Sequence, residues 1–131
     1  MQLTKHFTLL ELTKTNTRLS NTPNKQEINA LITLCQKVLQ PARNLYGAPI
    51  HVNSGYRSYA VNKAVGGAKK SQHTLGEAAD ITVFSKEGNK KLFKLIRDNL
   101  PFDQLIDECN YSWIHVSYRS EKENRRQVLK L

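Results

Sequence analysis

The stretch that most limits what this chain can fold into is Lys25–Tyr46, where Ile28, Leu31, Ile32, Cys35, Val38, Leu39, Ala42 and Leu45 recur at steps of three and four residues. That spacing gathers the apolar side chains into one stripe of a helix, and a helix of this length needs a surface to bury the stripe against. Pro41 has no amide hydrogen to give and is expected to kink or divide the helix; Gly47 suits the turn after its end. Cys35 falls on the buried stripe and reads as a small core residue.

The surface for that helix is supplied by short β-branched and aromatic runs with alternating side chains. Ile50-His51-Val52-Asn53 reads as one strand, with His51 facing solvent, and Asp80-Ile81-Thr82-Val83 as another. Phe102–Glu108 and Trp113–Tyr118 form a pair joined by Cys109–Ser112 as an antiparallel hairpin, and Glu123–Leu131 adds a final edge strand. Three further helices are expected. Phe7–Leu12 is entered through a Thr8/Glu11 capping box, Tyr59–Val65 ends at Gly66-Gly67, and Asn89–Leu100 is stopped by Pro101. The last turns Leu92, Phe93, Leu95 and Ile96 inward and Lys90, Lys91, Lys94 and Arg97 to solvent. The segment Thr13–Asn24 reads as polar and irregular. The predicted class is α+β: a small, mostly antiparallel sheet with helices packed on one side, in a single domain over residues 1–131.

Chemistry concentrates in Ser71-Gln72-His73-Thr74-Leu75-Gly76-Glu77-Ala78-Ala79-Asp80. Imidazole and carboxylate are both zinc ligands, and a catalytic zinc site takes three protein ligands and leaves a fourth position to water. The most economical third ligand is His115. Alternation puts Trp113, His115 and Ser117 on one face, and Asp80 and Thr82 share a face of the preceding strand, so adjacent strands could aim Asp80 and His115 at the point where the loop delivers His73. A surface helix carrying His73 and Asp80 seven apart is the alternative; Gly76 and the β-branched Ile81-Thr82-Val83 argue against it. Ser71 can cap local amides, and Glu77 reads as solvent-exposed. Arg57, in Ser54-Gly55-Tyr56-Arg57-Ser58, carries a planar fork of donors suited either to a substrate carboxylate or to a neighbouring acid.

Ser-x-His-(x)6-Asp, followed by Trp-x-His and preceded by the Ser54–Ser58 turn, resembles the zinc D-alanyl-D-alanine carboxypeptidases of peptidase family M15, in particular a compact subgroup from phages and bacteria. The likeness runs from about Phe7 to Tyr118, with the three motifs in the expected order. It implies a fold like that of the D-Ala-D-Ala peptidases and the hedgehog signalling domain. It also implies a zinc ion on His73, Asp80 and His115, with Arg57 and Ser71 holding the substrate. Many relatives carry a Glu three residues before the last His, where this chain has Ser112. Glu108, at the end of the preceding strand, is then the expected general base and later acid, with Asp107, on the opposite face, second.

The expected activity is a zinc-dependent cleavage of peptidoglycan stem peptides, of D-Ala-D-Ala carboxypeptidase or endopeptidase type. The alternative is a catalytically silent, zinc-containing module that binds cell wall or protein. Twenty Lys and Arg against eleven Asp and Glu give a formal charge of +9, which suits an anionic wall. The cations are scattered rather than interleaved with aromatics, so no specific nucleic-acid partner is expected. Cys35 and Cys109 lack a Cys-x-x-Cys pattern and read as free thiols. No apolar run is long enough to cross a bilayer, and Met1–Phe7 has no signal-peptide core. These features predict a monomer that is cytoplasmic as synthesised and reaches the wall by phage lysis or in a virion.

Overall fold

The computed structural model describes Met1–Leu131. A two-stranded ribbon, β1 (Gln2–Thr4) with β2 (Phe7–Thr8), opens the chain and leads into α1 (Leu9–Thr13). Thr8 caps α1 as expected: its Oγ1 accepts from the Glu11 amide, and the Glu11 carboxylate accepts from the Thr8 amide. Phe7, assigned to this helix from the sequence, lies in the ribbon instead, fully buried. The segment before α2 (Lys25–Leu34) is irregular, and Asn21 fastens it to the body by donating to the Thr13 and Tyr56 carbonyls and accepting from the Ser58 amide.

The long helix is continuous in space but changes its winding. A π-helical turn, Cys35–Leu39, separates α2 from α3 (Gln40–Tyr46), and Pro41 sits in the first turn of α3. The wider turn makes room for the pyrrolidine ring and absorbs the donor it lacks. It also changes which side chains face inward. Leu31, Leu34, Cys35, Val38, Leu39 and Ala42 are buried and Tyr46 packs against the core, whereas Leu45, expected on the stripe, is 46% exposed.

The principal sheet has the order β3-β4-β6-β5-β7, built from β3 (His51–Ser54), β4 (Ala78–Thr82), β5 (Gln104–Glu108), β6 (Trp113–Ser117) and β7 (Gln127–Lys130). Its first three pairings are antiparallel, including the expected β5–β6 hairpin; β7 joins β5 in parallel, which the sequence did not reveal. One face carries Val52, Ala79, Ile81, Leu105, Ile114 and Val116 into the core, against α2, the π turn, α3 and α5 (Lys86–Asn99). Burying each Leu or Ile there contributes about 1.5–3 kcal/mol. The helix α5 begins three residues earlier than expected, capped by Ser85, so Asn89 lies in its first turns. There the buried Asn89 side chain accepts from the Val83 amide and donates to the Tyr111 carbonyl, tying α5 to β4 and to the β5–β6 hairpin. The opposite sheet face is left to polar chemistry, bordered by α4 (Tyr59–Ala64) and a 3-10 turn, Gln72–Leu75.

Candidate metal centre

On that face, cross-strand register aligns Ser54, Asp80, His115 and Ile106 as one row across four strands. Side chains directly opposite one another in a sheet lie within contact distance, so Asp80 and His115 meet because Ile81 and Ile114, their sequence neighbours, pair on the core face. His115 Nδ1 lies 3.0 Å from Asp80 Oδ1. The third donor comes from the 3-10 turn that precedes β4. His73 Nε2 lies 3.4 Å from the same Asp80 oxygen, and the His73 and His115 rings meet edge to face at 5.2 Å.

Gly76 makes this approach possible. Its φ of +75 lies in the left-handed region, and a Cβ there would stand 2.6 Å from the Glu27 carbonyl oxygen. A side chain would therefore be both strained and obstructed. The turn is capped by Ser71, whose Oγ accepts from the His73 amide, and it is held to the Arg57 loop because the Arg57 amide donates to the His73 carbonyl. Ser71 thus caps a local amide.

The donor set fits a divalent cation. His73 Nδ1 is 2.7 Å from the Gly55 carbonyl oxygen; a carbonyl only accepts, so Nδ1 carries the proton and, in the neutral ring, Nε2 presents a lone pair. That lone pair faces a carboxylate oxygen across a gap close to the roughly 3.3 Å that separates neighbouring ligands of a tetrahedral zinc. Two acceptors facing each other at this distance call for a cation between them. One ligand atom from each of His73, Asp80 and His115 lies within 4.8 Å of the others. The Gly55 carbonyl is the kind of outer partner that fixes a ligand histidine's tautomer.

Asp80 is held ionised. Burial disfavours its charge, but the close imidazoles of His115 and His73 outweigh burial and hold the carboxyl well below the usual range. Its second oxygen, Oδ2, takes a 3.3 Å bond from Arg57 Nη2. Arg57 therefore does pair with a neighbouring acid, and that acid belongs to the centre itself. Glu108 stands opposite Trp113 and so shares the face of His115; burial, with the Asp80 charge second, pushes its carboxyl above the ordinary value. Asp107 points the other way, is buried, and accepts from the Tyr111 amide. Ser112 is turned into the hairpin, its hydroxyl donating to the Cys109 carbonyl.

One residue given a bland reading from the sequence differs here, and another had no reading at all. Glu77, expected to be exposed, is half-buried; burial raises its pKa, the hydrogen bond from Gln72 opposes that rise, and its remaining charged neighbours are Arg119, Asp103 and Glu123 rather than the metal donors. Asn62, singled out by no sequence pattern, is buried and touches Arg57. His51 is exposed on β3 and stacks obliquely on Phe84, away from the centre.

The profile of the peptidase M15 family matches residues 5–117. A zinc D-Ala-D-Ala carboxypeptidase from Streptomyces albus G is 40% identical over 80 residues, which are 58% of this chain and 31% of that protein. The chain thus spans under a third of that relative's length.

Proposed function

The chain belongs to the peptidase M15 family, and from that premise we propose that it is a zinc-dependent peptidase cleaving peptidoglycan stem peptides, of D-Ala-D-Ala carboxypeptidase or endopeptidase type. The observation that carries this reading is the lone pair of His73 Nε2 facing Asp80 Oδ1 at 3.4 Å, with His115 Nδ1 completing the donor set. Zinc is the cofactor that the family and the Streptomyces relative imply, and His73, Asp80 and His115 are the residues to hold it. When bound there, zinc polarises a peptide carbonyl and makes water a stronger nucleophile near neutral pH.

The chain's own side chains supply the rest. Glu108, on the same face and half-buried, takes a proton from the attacking water and passes it to the leaving amine. Arg57 receives the substrate's terminal carboxylate in a two-point grip, and Ser71 helps to hold the peptide. The formal charge of +9 favours an anionic cell wall. No helix is long and apolar enough to cross a membrane. We read the chain as one peptidase unit that acts as a monomer, in the setting of a phage lysis or virion-associated enzyme.

Release of D-Ala or cross-link fragments from purified peptidoglycan by zinc-loaded wild type, Glu108→Gln and His115→Ala tests the proposal. The expected result is release by the wild type alone, with Glu108→Gln retaining its zinc. Full zinc occupancy with no release by the wild type would instead favour the silent binding module.

A further inference from the structure

We propose that Asn62 is the positioning residue that aims the Arg57 guanidinium at the substrate carboxylate; the role in substrate binding rests on the peptidase reading above. Arg57 Nε donates to Ser54 Oγ at 3.0 Å, Nη1 to Asn62 Oδ1 at 3.3 Å and Nη2 to Asp80 Oδ2 at 3.3 Å. Ser54 and Asp80 are cross-strand neighbours, so the sheet grips the edge of the guanidinium formed by Nε and Nη2, and Asn62 catches the far nitrogen. One N–H on each terminal nitrogen is left over for a carboxylate to accept.

The Asn62 amide has only one workable orientation. Its Nδ2 donates to the Ala68 carbonyl at 2.8 Å; a carbonyl cannot donate, so the amide oxygen must face Arg57. The residue is 3% exposed, which locks the rotamer. The loop is shaped around it: the Gly67 amide donates to the Asn62 backbone carbonyl, and a Cβ on Gly67 would stand 2.0 Å from Asn62 Oδ1 and 3.0 Å from Arg57 Nη1. An amide suits this place better than a carboxylate would. It fixes the direction of the arginine without neutralising it, so the cation stays available to an anionic ligand.

The test uses the full zinc-loaded chain as wild type, Asn62→Ala and the nearly isosteric Asn62→Asp, with two readouts. The first is solvent exchange of the Arg57 Nη1 hydrogens, one of which Asn62 accepts, by 15N NMR. Loss of the Asn62 acceptor in Asn62→Ala is expected to speed exchange about tenfold, the equivalent of one hydrogen bond to a charged group; an unchanged rate overturns the proposal. The second is affinity for N-acetyl-D-Ala-D-Ala relative to its C-terminal carboxamide. Both variants are expected to lose about tenfold of the wild type's preference for the carboxylate, and a preserved preference overturns the proposal. A wild type with no preference fails the peptidase reading instead, and the exchange rate alone then decides for or against Asn62.

Discussion

His73 and Asp80 face each other across 3.4 Å with the imidazole's other nitrogen committed to the Gly55 carbonyl. Filling that gap with a cation links the 3-10 turn to β4 and β6. Zinc therefore stabilises the fold by mass action, about 2.7 kcal/mol at a free concentration one hundred times the dissociation constant. Chelator-stripped protein is expected to melt several degrees below the zinc-loaded form in calorimetry, and His73→Ala to show no zinc-dependent shift.

Glu108→Gln removes the proposed proton carrier and leaves the three candidate metal donors in place. A fall in kcat of about 100-fold or more is expected, with stoichiometric zinc by elemental analysis. Asp107→Asn, on the opposite face, should leave kcat within a few-fold of the wild type.

Gly76→Ala puts a methyl group where the Glu27 carbonyl already lies and forces a left-handed backbone on alanine. The backbone term alone costs about 1–2 kcal/mol. Because His73 lies in the same turn, zinc affinity and melting temperature should fall together, whereas Leu31→Ala should lower stability by about 2–5 kcal/mol with the affinity of the folded protein unchanged.

Asp103 gives a pH dependence of known sign. Its buried side chain accepts from the Arg125 amide and guanidinium, and the hydrogen bond from the Arg125 side chain is the chief cause of its lowered pKa. A carboxyl depressed on folding adds stability above its unfolded pKa and loses it as the pH falls through the folded one. Urea midpoints of wild type and Asp103→Asn should therefore differ at neutral pH, by about 1–3 kcal/mol in stability, and converge on acidification below pH about 4.

The two thiols should separate in a reagent titration. Burial, with Glu11 second, pushes the Cys35 thiol up to about 12, and Cys35 is enclosed in the core; Cys109 is exposed at the hairpin. One thiol should react rapidly in the native protein and the second only in denaturant.

What could be read from the sequence was what has a period or a local grammar. The Thr8/Glu11 box, the buried place of Cys35, the β5–β6 hairpin and the sharing of one face by Trp113 and His115 all follow from spacing within a single segment. The family likeness rested on motifs of that kind. Contacts between remote polar residues carry no such signature, so the pairing of Asn62 with Arg57, of Asn89 with the hairpin and of Asp103 with Arg125 could not be read. Leu45 shows the limit of periodicity itself: one π turn changes the phase, and a residue placed by counting ends on the outside. The parallel entry of β7 was hidden because a weakly patterned edge strand does not say which neighbour it will choose.

The placement of β7 makes it a brace. The Leu131 amide donates to the Asp107 carbonyl and the Cys109 amide to the Leu131 carbonyl, on either side of Glu108. The brace therefore falls on the strand that ends in Glu108, the proposed proton carrier, and on none of the three candidate metal donors. Truncation before Gln127 should accordingly yield a protein that retains its zinc but turns over slowly.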